Sequence, residues 1–143
     1  MWRELILDLA ADADLGGPVD DVSLTTVERV LGQRLPTDLI ALFRECNGVA
    51  LDGVDVVWGA EQVARDNTAF RGAPDFADLY MPFEPLMFFG DNAGGDQFAF
   101  VRTPERDDVF VWEHETDSRF MVAGGLLQYL EQALRQSGED WYR

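Results

Sequence analysis

Several features that mark a secreted or membrane-bound protein are scarce in this sequence of 143 residues. Cys46 is the only cysteine, so an internal disulfide is excluded. No apolar run approaches the roughly 20 residues of a membrane-spanning helix. A signal peptide needs a basic start and an apolar run, whereas Met1–Glu4 leads into acidic chain. The sequence therefore predicts a cytoplasmic protein without a membrane partner.

Positive charge is also scarce. The chain has 11 basic residues against 27 acidic ones, which gives a formal net charge of −16 at pH 7. Most of these carboxylates must lie on the surface, because charged side chains are rarely buried without a partner. An acidic surface repels nucleic acid and anionic membranes, and it speeds encounter with a basic protein. Solubility alone would explain the same excess, so charge argues against direct nucleic-acid binding without establishing a partner.

The sequence does contain ample material for a hydrophobic core. Hydrophobic residues make up 47% of the chain and aromatic residues 12%, which is typical of a folded protein. A chain of this length fits one domain and buries about two-thirds of its unfolded surface. We therefore expect a single domain over residues 1–143.

The spacing of apolar residues predicts helices at both ends of the chain and strands between them. Expected helices are Trp2–Ala13, from the Thr25–Glu28 capping pair to Gly32, from Pro36 to Asn47-Gly48, and Leu126–Leu134. Expected strands are Val54–Trp58, Leu86–Phe89, Gln97–Val101, Asp108–Trp112 and Phe120–Ala123, with a turn at Thr103–Asp107. Ala60–Phe70 has a weak helical pattern, and irregular chain is expected from Gly72 to Pro85.

Two helical blocks around the strands indicate an α+β fold. We predict N-terminal helices, a central, mainly antiparallel meander of about four to six strands, and a C-terminal helix packed on the sheet.

The most prominent polar cluster lies between two predicted strands and combines glycine with short polar side chains. Its members are Gly90, Asp91, Asn92, Gly94, Gly95 and Asp96. Carboxylate and amide oxygens suit calcium or magnesium, but a calcium loop would require ligands where Ala93 and Gly95 stand. No phosphate-loop pattern accompanies the glycines. Because Asp, Asn and Gly are common turn residues, we interpret the cluster as a structural turn.

No residue elsewhere presents a clear catalytic pattern. His114, the only histidine, lies between Glu113 and Glu115, where a general base is conceivable, but no recognisable nucleophile is near it in the sequence. Cys46 follows Phe43 on an apolar helical face and is expected to pack as a small hydrophobe. We predict no catalytic, cofactor-binding or metal-binding residue.

Four separated motifs give the chain a family resemblance. They are Leu31–Pro36 with the pattern Leu-Gly-x-x-Leu-Pro, Asn47-Gly48, the Phe89–Phe98 turn with its Gly-Asp and Gly-Gly-Asp pairs, and Leu126–Leu134. In order and rough spacing they resemble the SUKH superfamily, which includes bacterial immunity proteins of polymorphic toxin systems and a fungal regulator of cell-wall synthesis. The resemblance covers about residues 23–136. Residues 1–22 and 59–85 carry no family mark and are candidates for partner specificity.

The resemblance implies a non-enzymatic protein that neutralises a cognate toxin by covering it, and the charge favours a basic toxin such as a nuclease domain. A regulatory or scaffold module of the same fold is the alternative, and a small hydrolase or metal enzyme using Asp91, Asp96 and His114 is a third hypothesis. The acids expected to contact a partner lie in predicted loops or at strand ends, where simple solvated charge is the other interpretation. They are Asp52, Asp55, Asp75, Asp78, Glu84, Glu113 and Glu115.

Overall fold

A computed structural model describes residues 1–72, 83–136 and 141–142. In this part of the chain there are five helices and seven strands. The helices are α1 (Trp2–Leu9), α2 (Asp21–Leu31), α3 (Thr37–Glu45), α4 (Ala60–Gly72) and α5 (Leu126–Arg135). The strands are β1 (Asp14–Leu15), β2 (Val49–Leu51), β3 (Val54–Val57), β4 (Leu86–Asp91), β5 (Gln97–Arg102), β6 (Glu105–Glu113) and β7 (Ser118–Ala123). The predicted α+β fold is confirmed.

The strands form two antiparallel sheets. Strands β1, β2 and β3 make the smaller sheet in that order, and β4 to β7 make a four-stranded meander in chain order. All five predicted strands are present. Strands β1 and β2 were not predicted, because runs of two and three residues are too short to show a period. Strand β6 begins at Glu105, inside the predicted turn, where the guanidinium of Arg102 bonds the Glu105 carboxylate at 2.9 Å.

The helix boundaries differ from the prediction at two places. Helix α1 ends at Leu9 rather than Ala13, because the chain becomes extended at Ala10. Helix α2 begins before Thr25, since Asp20 caps it by accepting a hydrogen bond from the Ser23 amide at 2.7 Å.

The expected capping pair is therefore not formed. The Glu28 carboxylate instead accepts from the Leu35 amide at 2.8 Å and fixes the connection to α3.

Helix α4 was anticipated only weakly, and it is the longest helix described, with 13 residues. It buries few side chains, among them Val63 and Asn67, so its apolar periodicity is poor. Its first amide, that of Ala60, donates at 2.8 Å to the side-chain oxygen of Asn47. Asn47, in the connection between α3 and β2, thus caps the N-terminus of α4.

The outer edge of β4 is closed by side chains and by the end of β3. The buried amide of Asn67 donates to the Phe88 carbonyl and accepts from the Phe88 amide, both at 2.8 Å. Arg71 donates to the Leu86 carbonyl at 2.9 Å, and the Trp58 amide donates to the Phe89 carbonyl at 2.7 Å. These four backbone groups of the β4 edge are therefore satisfied without a further strand.

Helix α5 joins the two sheets through Tyr129. Its fully buried ring lies edge-on to Phe89, with ring centres 5.0 Å apart, and its hydroxyl donates to the Val56 carbonyl of β3 at 2.6 Å. Burial raises the pKa of the Tyr129 phenol well above its usual range, so the hydroxyl stays a donor. Gly90 lies against the same carbonyl, and a Cβ atom there would collide with it. The contact between sheets requires glycine at this position.

Replacing Asn67 tests the closure of β4. Asn67→Leu keeps the side-chain volume but leaves the Phe88 amide and carbonyl buried without that partner, so we expect the free energy of unfolding to fall by about 2–4 kcal/mol. Chemical denaturation measures the change. Thr68→Ala is the control, because Thr68 is exposed on the same helix and its hydroxyl donates to the Ala64 carbonyl of that helix, the one side-chain bond recorded for it among the described residues. If the free energy of unfolding falls equally in the two variants, Asn67 does not have the assigned role in closing the β4 edge.

Candidate functional site: an acidic end of the sheet

Two turns and one hairpin tip meet at one end of the structure. The β4–β5 and β6–β7 turns share an end of the sheet, as alternate turns of a meander must. The β2–β3 tip reaches the same place, because Asp52 and Asp91 line one cavity of about 340 Å³ together with Trp141. We call this surface the acidic end and define it by Asp52, Asp91, Glu113 and Glu115.

Side-chain oxygens of the β4–β5 turn are occupied by backbone amides. Asp91 accepts from the Ala93 amide at 2.7 Å, and Asn92 accepts from the Gly94 and Asp96 amides at 2.9 and 3.1 Å. The second oxygen of Asp91 accepts from the Trp58 indole at 2.8 Å. Asn92 and Asp96 are buried. These bonds build the turn, as its sequence suggested, and they tie it to the end of β3.

Asp96 is the centre of a second network that links the two turns. It accepts from the His114 amide at 3.1 Å, lies 2.6 Å from Nδ1 of the His114 ring, and accepts from the Tyr142 hydroxyl. Burial opposes ionisation of this carboxyl group, but the hydrogen bonds from Tyr142 and His114 outweigh it, and the pKa of Asp96 lies below its usual value. Asp96 is therefore a buried carboxylate at neutral pH.

Gly95 permits the close packing of the two turns. Its φ is 109°, a conformation that side chains rarely adopt, and a Cβ atom would lie 2.8 Å from Cε1 of His114. The imidazole thus covers the backbone of the turn directly.

Among the described residues, no nucleophilic side chain is recorded within hydrogen-bonding distance of the His114 ring. A His–Asp pair is part of a hydrolytic triad, but among the described residues the contacts recorded for the His114 ring are with Asp96 and, at 3.9 Å, Glu115. The described chain also contains no group of three or more His, Cys, Asp or Glu residues placed to hold a metal ion. What the geometry does supply is a hydrogen-bonded turn beside the exposed carboxylates of Asp52 and Glu115.

The predicted contact acids separate into groups. Asp52, Glu113 and Glu115 lie at the acidic end. Asp55 is exposed on β3 and lines a different cavity, with Asp14, while Glu84 is exposed just before β4, at the opposite end of the sheet. Asp75 and Asp78 lie outside the described residues.

Sequence reasoning named Asp52 as a contact acid but missed two structural features of this surface, the hairpin turn at Asp52-Gly53 and the contact between Trp58 and Asp91. The Asp52-Gly53 pair forms the two-residue β2–β3 turn, with φ of 52° and 81°, and an Asp-Gly pair is a known hairpin signal. The approach of Trp58 to Asp91 spans 33 residues and has no local signal. Cys46 is buried, as its apolar surroundings suggested.

Fold and site together place the chain among α+β proteins. Its most prominent polar cluster, Asp91 to Asp96, forms a turn at the surface. The chain belongs to the SMI1/KNR4 family (SUKH-1), whose family model matches residues 18–132. The matched span runs from just before α2 into α5 and excludes α1. This family includes immunity proteins and is generally non-catalytic. Membership of the family suggests that the chain has a protein partner.

No curated protein matches the chain. Among the described helices, none has the length and apolar character needed to cross a membrane.

Gly95→Val should destabilise the protein by at least about 1 kcal/mol, because it combines a strained φ with overlap against His114. Thermal unfolding measures this loss. Gly17→Val is the control: Gly17 has open space around it and no positive φ. If both variants melt at the wild-type temperature, the turn does not have the conformation described.

The buried Asp96 carboxylate also predicts a pH dependence. A carboxyl group whose pKa is lowered by folding stabilises the protein above its unfolded pKa of about 4, and this contribution disappears as the pH falls through the folded pKa. The free energy of unfolding should therefore fall below about pH 5 more steeply in wild type than in Asp96→Asn. Glu45, whose pKa is lowered to about 2 mainly by the Met1 ammonium, acts in the same direction in both proteins and cancels in the comparison.

Asp55→Asn is the matched control, because Asp55 is exposed on β3 and its side chain has no hydrogen bond or ion pair recorded among the described residues. Its curve should run parallel to that of wild type. Parallel curves for Asp96→Asn as well would show that Asp96 is not stabilised as a carboxylate.

Proposed function

We propose that this chain is a non-enzymatic immunity protein that binds a cognate toxin domain stoichiometrically and blocks it. The observation that carries the proposal is its membership of a family that includes such proteins. The site agrees with it, because the polar residues that resembled an active centre are engaged in building a turn. A protein that acts by covering another needs a fixed surface and no reactive group.

The charge distribution supports a basic partner, such as a nuclease domain. The chain carries a formal charge of −16, and the acidic end presents Asp52 and Glu115 as exposed carboxylates. Opposite charges accelerate encounter and disfavour wrong partners. A nuclease domain needs basic residues to hold its nucleic acid, so a protein that covers those residues both binds it and occludes its substrate.

The first experiment is co-expression with each candidate toxin domain encoded by a neighbouring gene. Cells producing the toxin should survive when this protein is present, and the purified pair should form a stoichiometric complex. Absence of rescue and of a complex with every neighbouring toxin would reject the proposal. A stable partner that is not a toxin would favour a regulatory or scaffold module.

Affinity measurements then test the acidic end. The double variant Asp52→Asn/Glu115→Gln should bind the toxin at least about 10-fold more weakly, mainly through slower association, and raising the salt concentration should reduce the difference. Asp38→Asn/Glu84→Gln is the control, because it removes the same charge from two exposed sites outside the acidic end. A larger loss in the control would place the contact elsewhere.

A further inference from the structure

The two edges of the four-stranded sheet differ in how their backbone groups are hydrogen-bonded. The β4 edge is closed by Asn67, Arg71 and the end of β3. The opposite edge is β7, six residues long and last in the strand order. In the described part of the chain, Phe120, Met121 and Val122 have no recorded backbone hydrogen bonds beyond their pairing with β6. Within the described structure, these three residues therefore offer backbone donors and acceptors to another strand.

Apolar side chains flank the β7 edge on both faces of the sheet. Phe120 is opposite buried Val111 on β6, and Met121 is opposite Phe110. Successive strand residues point to opposite faces, so these two side chains, 37% and 55% exposed, stand on either side of any added strand.

The strand has none of the lysine or proline residues that commonly block pairing at an edge. Its one charged residue is Arg119. The Arg119 guanidinium lies 5.0 Å from the Phe83 ring centre and 3.4 Å from the Asp117 carboxylate, so it is turned onto the protein.

Acidic residues lie near both ends of β7. Glu113 on β6 pairs with Ser118, the first residue of β7. Exposed Glu115 lies in the turn that connects the two strands. Exposed Asp107 lies two residues before Val109, which pairs with Ala123 at the end of β7. A second copy of this chain would bring the same acids to the edge and add its own charge of −16. Charge therefore favours a basic segment of another protein over self-pairing.

We propose that β7 is the docking edge for the partner: an extended segment, apolar in the middle and basic at its ends, pairs with β7 as a fifth strand. Backbone hydrogen bonds hold the segment, Phe120 and Met121 contact its side chains, and the flanking carboxylates select its basic ends. The inference rests on the proposed function in one respect, that the toxin supplies the segment. The edge itself is testable without the toxin.

A synthetic peptide tests the edge in isolation. The probe is a seven-residue peptide of alternating Val and Thr with Lys at both ends, and the same peptide with Glu at both ends is its control. In NMR titrations of the isotope-labelled protein, the Lys peptide should shift the amides of Phe120, Met121 and Val122, and the Glu peptide should bind at least 5-fold more weakly. Shifts confined to other surfaces, equal binding of both peptides, or no binding would overturn the proposal.

Matched substitutions separate the edge from general apolar exposure. Met121→Lys should weaken binding of the Lys peptide at least 5-fold, whereas Val30→Lys should leave it within 2-fold. Met121 and Val30 are 55% and 54% exposed, so the two variants remove equally accessible apolar side chains and add the same charge. If Met121→Lys does not fold, hydrogen exchange is measured on the wild-type protein with and without the Lys peptide. A bound strand must protect the β7 amides, so unchanged exchange there would overturn the proposal.

Hydrogen exchange on the toxin complex completes the test. Protection of Phe120–Val122 supports the proposal. A toxin complex without protection there overturns it and leaves the immunity function standing, whereas peptide binding at β7 without any toxin complex supports the edge and rejects that function. A dimer of the free chain with β7 already protected would assign the edge to a second copy and overturn the proposed partner.

Discussion

The structure depends on how the outer edge of β4 is satisfied. A sheet edge buried under a helix leaves backbone amides and carbonyls without water, and each one left unpaired would cost about 1–3 kcal/mol. The Asn67 side chain pairs with both the amide and the carbonyl of Phe88, because a primary amide has a donor and an acceptor in the geometry of a peptide group. The side chain takes the place of a neighbouring strand.

This solution holds several elements together. Arg71, one turn further along α4, bonds the Leu86 carbonyl and also the Leu31 carbonyl at the end of α2. Trp58 continues the closure with its backbone amide and fixes the β4–β5 turn with its indole. The same short stretch of β4 thereby sets the position of two helices, of the smaller sheet and of the acidic end.

Local rules were sufficient for the elements with strong periods. Helix α5 and the four strands of the meander follow from apolar spacing, and the order of turns then follows from the meander itself. They were insufficient for α4, because the residue that matters most there is a buried amide whose partner lies 21 positions away. Asn67 follows Val63 at helical spacing, but a polar residue on that face weakens an apolar pattern, so the sequence indicated this helix only weakly.

The candidate site shows the same division. Composition and turn chemistry indicated that Asp91 to Asp96 build a turn and that carboxylates lie outside. Which carboxylates share a surface depends on topology: Asp52 and Asp91 belong to different sheets, and they line one cavity where Gly90 lets β4 approach β3 closely. Asp55, three residues from Asp52, lines another cavity, so closeness in sequence was a poor guide.

Rigidity connects the turn with binding. Association must overcome the conformational entropy of every loop that it orders, so a surface already held by internal hydrogen bonds binds more tightly than a mobile one with equal charge. The bonds from the Ala93, Gly94 and His114 amides to Asp91, Asn92 and Asp96 fix the β4–β5 turn and its contact with the β6–β7 turn. Asp96 contributes its negative charge to this region while remaining buried, and Asp52 and Glu115 add exposed carboxylates to it. Residues that do no chemistry can in this way still determine affinity.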